Sequence, residues 1–536
     1  MNDPATGFRK VYSDLESDRS AFLERAYDAA ELTIPGLLPR SGTLDQTLKT
    51  PYQGIGARGV RNISSRMLLS LFPANTSFFQ LVLDEQTRQQ IDQSDAETQV
   101  EAAMKDLVDG IMAEVERSHF RVAADEALKH LAVAGNALLH WEKDETPRIF
   151  NLGQYVVKRD GRGKVLRICI KEKLDRKALP PEVTLALETP EPVIGGIPHD
   201  QGTPGRDDGD AVEMYTLIEW DNAAQEYVAE QEVDGIMVPG TRQTYSEDAM
   251  PWLALRWQRI SGEDYGRGMV EELLGDLVSL EGLSQAMLEG SAAMAKVLFL
   301  ADPNGVTKPS IIAKAPNGAV RMGRSEDVTV VQADKRADFS TVQTEIAILR
   351  EQLSFSFLLN SAIQRNAERV TAEEIRFMAQ ELEQTLGASY SILALDFQLP
   401  VVSLLMSRMD DKGLFGQALE TGAIRPSIVT GLEALGQGHD LNRLVQFSQA
   451  GSTALTPEVF AQHIKPGAWL RAVANATGND AGELVKTDQQ IQQEQQQAQL
   501  QQAAQTVAPQ IADAALNQQQ AQNTEGGQPS AQPQQA

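Results

Sequence analysis

Apolar side chains recur three and four positions apart in Arg66 to Phe72, Val100 to Val115 and Val122 to Leu139, the spacing that gathers them on one face of a helix. Pro73 and the polar cluster from Asp92 to Asp95 interrupt the pattern, so the first 140 residues predict a packed helical layer. From Arg148 the pattern turns to that of strands. Tyr155 to Lys158 and Val165 to Lys171 flank Arg159 to Gly163, whose Asp160-Gly161 pair favours a tight reversal, and together they predict a hairpin. Met214 to Trp220, Tyr227 to Val233 and Trp252 to Ile260 continue the β-rich run. Between Thr189 and Asp210, nine Pro and Gly residues predict a mobile loop.

Met269 to Met294 returns to the helical period, with Leu273, Leu277, Leu280, Met287 and Met294 in one stripe filled out by Leu274, Leu283 and Ala286. A helix of roughly 26 residues is about 40 Å long and normally spans something. Val297 to Leu300 and a Pro- and Gly-punctuated stretch to about Asp334 predict a small irregular or β module. Phe339 to Leu358 is helical again, carrying Val342, Ile346, Leu349, Leu353 and Phe357 on one side. Asn360 to Val370 has no continuous apolar face. Thr371 and Glu374 then form a capping box, whose hydroxyl and carboxylate satisfy the orphan donors of a new helix starting near Ala372. Ile375, Met378, Leu382, Leu386, Leu393 and Phe397 continue that helix, across a gap at Gly387 to Ser389, until Pro400 predicts a break or kink. A polar-rich helix and shorter helices around Ile428 to Leu435, Leu441 to Ser448, Pro457 to Ile464 and Ala468 to Ala476 are expected next. From Thr487 Gln and Ala dominate; such a tail buries too little apolar surface to offset its ordering entropy and is expected to be disordered or partly helical.

The 536 residues suffice for several domains and a large core. Forty-eight basic and 74 acidic side chains give a formal net charge of -26, which argues against a surface built to grip nucleic-acid phosphate but leaves weak or sliding contact open. Cys169 is the only cysteine, so no intrachain disulfide framework exists and a reducing compartment fits. Neither a secretory signal nor a run of roughly 18 apolar residues is present, so a soluble product is expected.

Gly54, Gly56 and Gly59 in GIGARG satisfy the dinucleotide fingerprint, yet Leu48 to Gln53 contains Pro51 and no buried strand, so a tight turn before a packed helix is the better reading. His119, His130, His140, His199, His439 and His463 never pair with one another or with Cys169 at metal-ligand spacing. Glu271 with Glu272, and Glu373 with Glu374, sit on predicted helices where a solvated face is the default. No nucleophile elbow, phosphate loop or zinc helix occurs, so no enzyme, cofactor or metal site is expected.

Leu353 to Val402 resembles a block of the portal proteins, or head-to-tail connectors, of Autographiviridae-type short-tailed bacteriophages. Similar blocks follow the family's order: TIPGLLP at Thr33 to Pro39, TPYQGIGARGVRNISSRMLLSLFP at Thr50 to Pro73, EALKHLAVAGNALLH at Glu126 to His140, YVVKRDGRGKVL at Tyr155 to Leu166, DYGRGMVEELLGDLVSLEGL at Asp264 to Leu283 and SIVTGLEALGQGHDL at Ser427 to Leu441. The resemblance implies a mixed α+β, mainly helical portal fold assembled as a ring of twelve around a channel. On it, 1–262 would be wing (a helical layer, then a β-rich part), 263–296 the first stem helix, 297–336 the clip and 337–358 the second stem helix. A tunnel loop at 359–370, a long wing helix at 371–425, a crown at 426–486 and a Gln-rich tail at 487–536 would complete it.

The resemblance further implies a place at one capsid vertex of the virion, after assembly in the host cytoplasm, with double-stranded DNA packaged and later ejected through the channel. Expected partners are the chain itself, the DNA, the terminase large subunit, the tail adaptor, and scaffold, major capsid and internal core proteins, with no membrane. Arg365 and Arg369, matching the tunnel loop, and Lys335 and Arg336 beside the clip are the candidate DNA-channel contacts. Lys308, Lys314, Arg321 and Arg324 are the clip candidates, for phosphate or for subunit and partner contacts. Twelve copies would carry about 312 formal negative charges, so phosphate would be mostly repelled and the few basic rings would touch it weakly. The bland alternative makes these solvated surface side chains. Two other functional readings are a non-DNA structural ring component of the tail or head-tail adaptor, and an enzyme binding a nucleotide at GIGARG.

Overall fold

The computed structural model describes residues 7–40, 48–74, 77–84, 87, 97–179, 181, 183–184, 211–294, 298–316, 318–331, 336–359, 387–409, 424–428, 445, 447–449, 466–467, 469–470 and 473. Two compact units divide the chain, Met1–Ala434 and Leu435–Ala536. In the second, the Trp469 indole N–H donates to Ser448 Oγ at 3.0 Å. The elements that follow belong to the first.

Helix α1 (Phe8–Glu31) buries Phe8, Val11 and Tyr12 near its start and Ala26, Ala29 and Ala30 near its end. α2 (Ile55–Leu71), β1 (Phe79–Leu83), α3 (Glu97–Arg117) and α4 (Phe120–Ala134) follow. α4 is buried nearly all round, with α1, α2 and α3 packed against it. The helical period predicted that this segment runs to Leu139. It ends instead at Gly135, which adopts φ 72° and donates its N–H to Leu131 O, and Asn136–His140 is strand β2. Four of the five β2 residues are buried, so no alternation marked the change.

β3 (Arg148–Phe150), β4 (Tyr155–Arg159), β5 (Val165–Asp175), β6 (Ala211–Asp221), β7 (Glu226–Val233), β8 (Ile236–Met237), β9 (Gln243–Tyr245) and β10 (Trp252–Arg256) form the β-rich part. β4, β5, β6, β7 and β8 pair antiparallel in that order, with β9 also on β7; β10, β2 and β3 form a separate sheet. The predicted β4–β5 hairpin is present, but its positive φ falls at Gly163, not Gly161, and Asp160 Oδ1 accepts from the Arg162 and Lys164 amides. The N-terminal half of α1 lies on this sheet through Tyr12 and Tyr215. There the buried Arg19 guanidinium donates to the Leu152, Gly153 and Tyr155 carbonyls.

Next come α5 (Met269–Glu272), α6 (Leu274–Met294), β11 (Leu298–Ala301), α7 (Pro309–Ala313), β12 (Val328–Val331) and α8 (Arg336–Ser356). The single helix predicted from Met269 is thus two, separated at Leu273, and the compact module holds an antiparallel β11–β12 pair. α9 (Ala388–Leu393) starts at Gly387, whose φ of 42° and ψ of -107° explain the gap in the apolar pattern. A π-helical turn, Ala394–Gln398, joins it to α10 (Leu399–Met409). Pro400 therefore neither breaks the chain nor ends a helix. It lacks an N–H and would clash with the carbonyl four residues back, and the wide turn just before it takes up the misfit. α10 is not the polar-rich helix expected after Pro400: Val401, Val402, Leu404, Leu405 and Met406 are all buried. β13 (Ile424–Ile428) replaces a predicted helix start and pairs antiparallel with β1, Phe79 facing Ile428 and Leu83 facing Ile424.

Phe72, Phe78, Phe120, Phe397 and Trp141 close the centre of the core. Phe72 meets Phe78, Phe120 and Phe397 edge-to-face at 5.0 to 5.1 Å, and Phe120 stacks on Trp141 at 5.1 Å. The cluster ties the end of α2 to α4, β2 and the π turn. The predicted loop at 189–210, the capping box at Thr371 and Glu374, most of the predicted helices beyond Leu435 and the Gln-rich tail lie outside the described residues.

Candidate functional site

The helix, module, helix segment leaves the body through a tight glycine junction. Asn136, at the head of β2, donates through Nδ2 to Gly266 O at 2.8 Å and accepts from Gly266 N at 2.7 Å. Trp257 N donates to Gly135 O at 2.9 Å. A Cβ on Gly135 would lie 2.4 Å from Arg267 C, and one on Gly268 would lie 2.7 Å from Val133 O. Only glycine allows these backbones to approach so closely. Asp264 closes the other side, accepting from Arg159 N at 2.8 Å and Lys158 Nζ at 2.9 Å, contacts that raise the lysine's pKa. Arg267 pairs with Glu263 and Glu271, one turn on either side of it, and steadies the first turns that follow.

α6 and α8 pack along each other. Leu277 and Leu280 are buried on α6, Ile346 and Leu353 on α8, and a Cβ on Gly290 would meet the Phe339 ring at 2.5 Å. The module between the two helices is organised by Asp327. Its carboxylate accepts from Thr307 N at 2.9 Å and Thr307 Oγ1 at 2.8 Å, while Thr307 Oγ1 accepts from Arg324 N at 2.9 Å. These bonds to Thr307, with Arg324 nearby, hold the Asp327 carboxyl below its ordinary range.

α2 fixes both ends of the segment that contains Arg365 and Arg369. Asn62 Nδ2 donates to Phe357 O at 2.9 Å and Leu358 O at 3.1 Å, satisfying carbonyls that the end of α8 leaves orphaned. Gly59 lies under the Phe357 ring, where a Cβ would come within 2.3 Å. About 12 Å further along the same helix, Ser70 Oγ and Tyr390 Oη are 2.7 Å apart, and Gln398 Nε2 donates to Leu71 O. Two of the three GIGARG glycines therefore serve helix packing: Gly56 abuts Leu32 O and Gly59 admits Phe357, while a Cβ on Gly54 would meet nothing within 4 Å. No turn precedes the helix there; Ile55 already opens α2.

Of the sequence-predicted site residues, Lys308, Lys314, Arg321 and Arg324 are exposed on the module between α6 and α8. Arg336 opens α8. Lys335, Arg365 and Arg369 lie outside the described residues. The sequence reading missed Asn62 and Gly59 as anchors, although GARGVRN sets them three residues apart on one helical face. It also missed Val320 and Met322, which are 97% and 99% exposed among those cations. Among the described residues, no cluster of three His, Cys, Asp or Glu side chains suits a metal ion. Ser389–Met409 is long and apolar enough to cross a membrane, but 61% of its apolar window is buried in the protein.

The family model described as bacteriophage head to tail connecting protein matches residues 5–485. The chain is similar to the portal protein of Escherichia phage T7, 37% identical over 91% of this chain and 89% of that one. It is 38% identical to the portal protein of Enterobacteria phage T3 over the same shares, and 31% identical to that of Enterobacteria phage SP6 over 90% and 91%. Among solved structures, the neck of a native GTA particle computed with C12 symmetry aligns at a TM-score of 0.35 and 11% identity, over 73% of this chain and 85% of that one.

Proposed function

Since the chain belongs to the bacteriophage head to tail connecting proteins, we propose that it is a portal subunit, one of a ring of twelve at a capsid vertex through which double-stranded DNA is packaged and later ejected. The single observation that carries this reading is the family match across residues 5–485, which takes in both long helices, the module between them and residues 359–370. The domain plan read from the sequence is part of the proposal: wing at 1–262, stem helices at 263–296 and 337–358, clip at 297–336, tunnel loop at 359–370, long wing helix at 371–425 and crown at 426–486. Its role is structural. The terminase large subunit docks on the clip during packaging, the tail adaptor replaces it, and scaffold, major capsid and internal core proteins contact the wing and crown. Assembly takes place in the host cytoplasm, and the finished ring is a virion component.

Geometry and charge then divide the work. α6 and α8 line the channel, and the acidic balance of -26 per chain repels phosphate along the wall, so DNA slides. Arg365, Arg369, Lys335 and Arg336 supply weak, repeated contacts. Asn62 and Ser70 lie on one helix, so the described residues on either side of that segment, Phe357 and Tyr390, are held at points about 12 Å apart along α2. Negative-stain microscopy of the purified full chain tests the reading: annular particles with an axial hole are expected, and compact monomers at all concentrations would refute it.

A further inference from the structure

The clip carries a feature that passage of DNA does not account for. From Pro303 to Arg324 the chain has four cations, Lys308, Lys314, Arg321 and Arg324, and no carboxylate, within a protein of net charge -26. The same stretch holds out Val306, 74% exposed, Val320 and Met322. Gly318 to Arg324 forms neither helix nor strand, and no hydrogen bond within the described residues engages the amides of Val320, Arg321 or Met322. Yet the arm is tied down at both ends. Ala319 N donates to Pro316 O at 3.1 Å, Gly323 sits where a Cβ would come 2.7 Å from Thr307 Oγ1, and Arg324 N is bonded to that hydroxyl.

An anchored, extended arm with two bulky apolar side chains in water is a surface awaiting a cover. Its apolar tips favour protein over nucleic-acid phosphate, and its charge calls for carboxylates. The same chain offers the complement on α6, which has Asp276, Glu281 and Glu289, no cation, and an exposed Val278 and Leu288 (55% and 56%). Glu281 is already occupied by the Tyr52 and Gln53 amides, whereas Glu289 beside Leu288, the carboxylate nearest the clip end of the helix in sequence, is exposed and accepts from the neutral Gln285 Nε2 at 2.8 Å, so its charge is met by no cation among the described residues. Two different, mutually complementary patches on one chain are what a head-to-tail contact between identical copies requires.

We propose that the Val320–Arg324 arm of one copy docks on the C-terminal half of α6 of the next, with Val320 and Met322 against Leu288 and with Arg321 and Arg324 facing Glu289. The proposal rests on the ring reading. Its test uses full-length chains that each carry one added cysteine. Cys169 does not compete, being buried with its thiol pushed up to about 12 by desolvation and by the neighbouring Glu232. When Met322→Cys and Leu288→Cys chains are assembled together and oxidised, covalent dimers are expected; neither variant alone should give them. Arg321→Glu with Arg324→Glu should raise the concentration for half-assembly by about tenfold or more, and adding Glu289→Arg should restore it. No cross-link, with assembly of the reversed variant unchanged, would overturn the docking while annular wild-type particles leave the portal reading intact. Loss of binding to a short DNA duplex with assembly unaffected would overturn it too, assigning the arm to DNA. A wild-type chain that stays monomeric would overturn both.

Discussion

Single side chains in this protein hold positions that their neighbours in sequence do not reveal. His130 is buried on α4 with Nδ1 unbonded, and desolvation pushes its pKa down to about 4. The folded chain thus keeps it neutral while the unfolded chain protonates near 6.5, so its contribution is complete above 6.5 and is lost as pH falls from there toward 4. The loss amounts to about 3 kcal/mol at most. The drop in thermal midpoint between pH 7.5 and 5 is expected to shrink in His130→Gln, and an equal drop in both chains would count against this account. Gly59→Ala sets a Cβ against the Phe357 ring, which is 1% exposed and has nowhere to go, so a loss of about 1–3 kcal/mol is expected in denaturant unfolding. The glycine spacing was legible in the sequence and its use was not. The sequence context already argued against a phosphate cradle at GIGARG, but that Gly59 makes room for a ring shows only once Phe357 is seen against it. Exposure was similarly hidden: Val320 and Met322 differ from core residues only in what surrounds them.

Secondary structure was readable wherever one face of an element is dry and the other wet. α6 and α8 follow the helical period, and the β4–β5 hairpin was legible from its Asp160-Gly161 turn pair, not from alternation, since β4 is as buried as β2; β2, with no such turn before it, and the short β13 left no period to read. Where α4 gives way to β2 the deciding residue is Gly135, and Gly135→Ala is expected to cost about 3 kcal/mol or more, since φ 72° and the Arg267 backbone at 2.4 Å both oppose a side chain. Circular dichroism melting of that variant against Gly161→Ala, where the Cβ meets nothing within 4 Å, isolates the effect. In the module between α6 and α8, Asp327→Asn removes the charged acceptor for Thr307, and faster amide hydrogen exchange is expected across 305–324. Acid should act the same way: a carboxyl with a depressed pKa stabilises above its ordinary range and loses that effect as pH falls through the folded value. Unchanged exchange in the variant would show that the β11–β12 pair alone holds the module.

For the molecule as a whole, function was legible through the family resemblance, which the match across residues 5–485 bears out. Arg365→Glu with Arg369→Glu in an otherwise assembled ring is expected to reduce the DNA packaged or retained per particle, and unchanged packaging would remove these arginines from the channel. The pairing of β1 with β13 could not be read from either strand, because Phe79 and Ile428 are about 350 residues apart and a pattern says nothing of its partner. That distance sets a clock. At about 5–20 residues per second of synthesis, β1 emerges roughly 20–70 s before the strand that completes it, so the newborn chain carries an open β-edge throughout that interval. Final closure of this unit thereby waits until Ile428 has been synthesised, and a chain truncated before Ile424 still offers its first strand to any stray one.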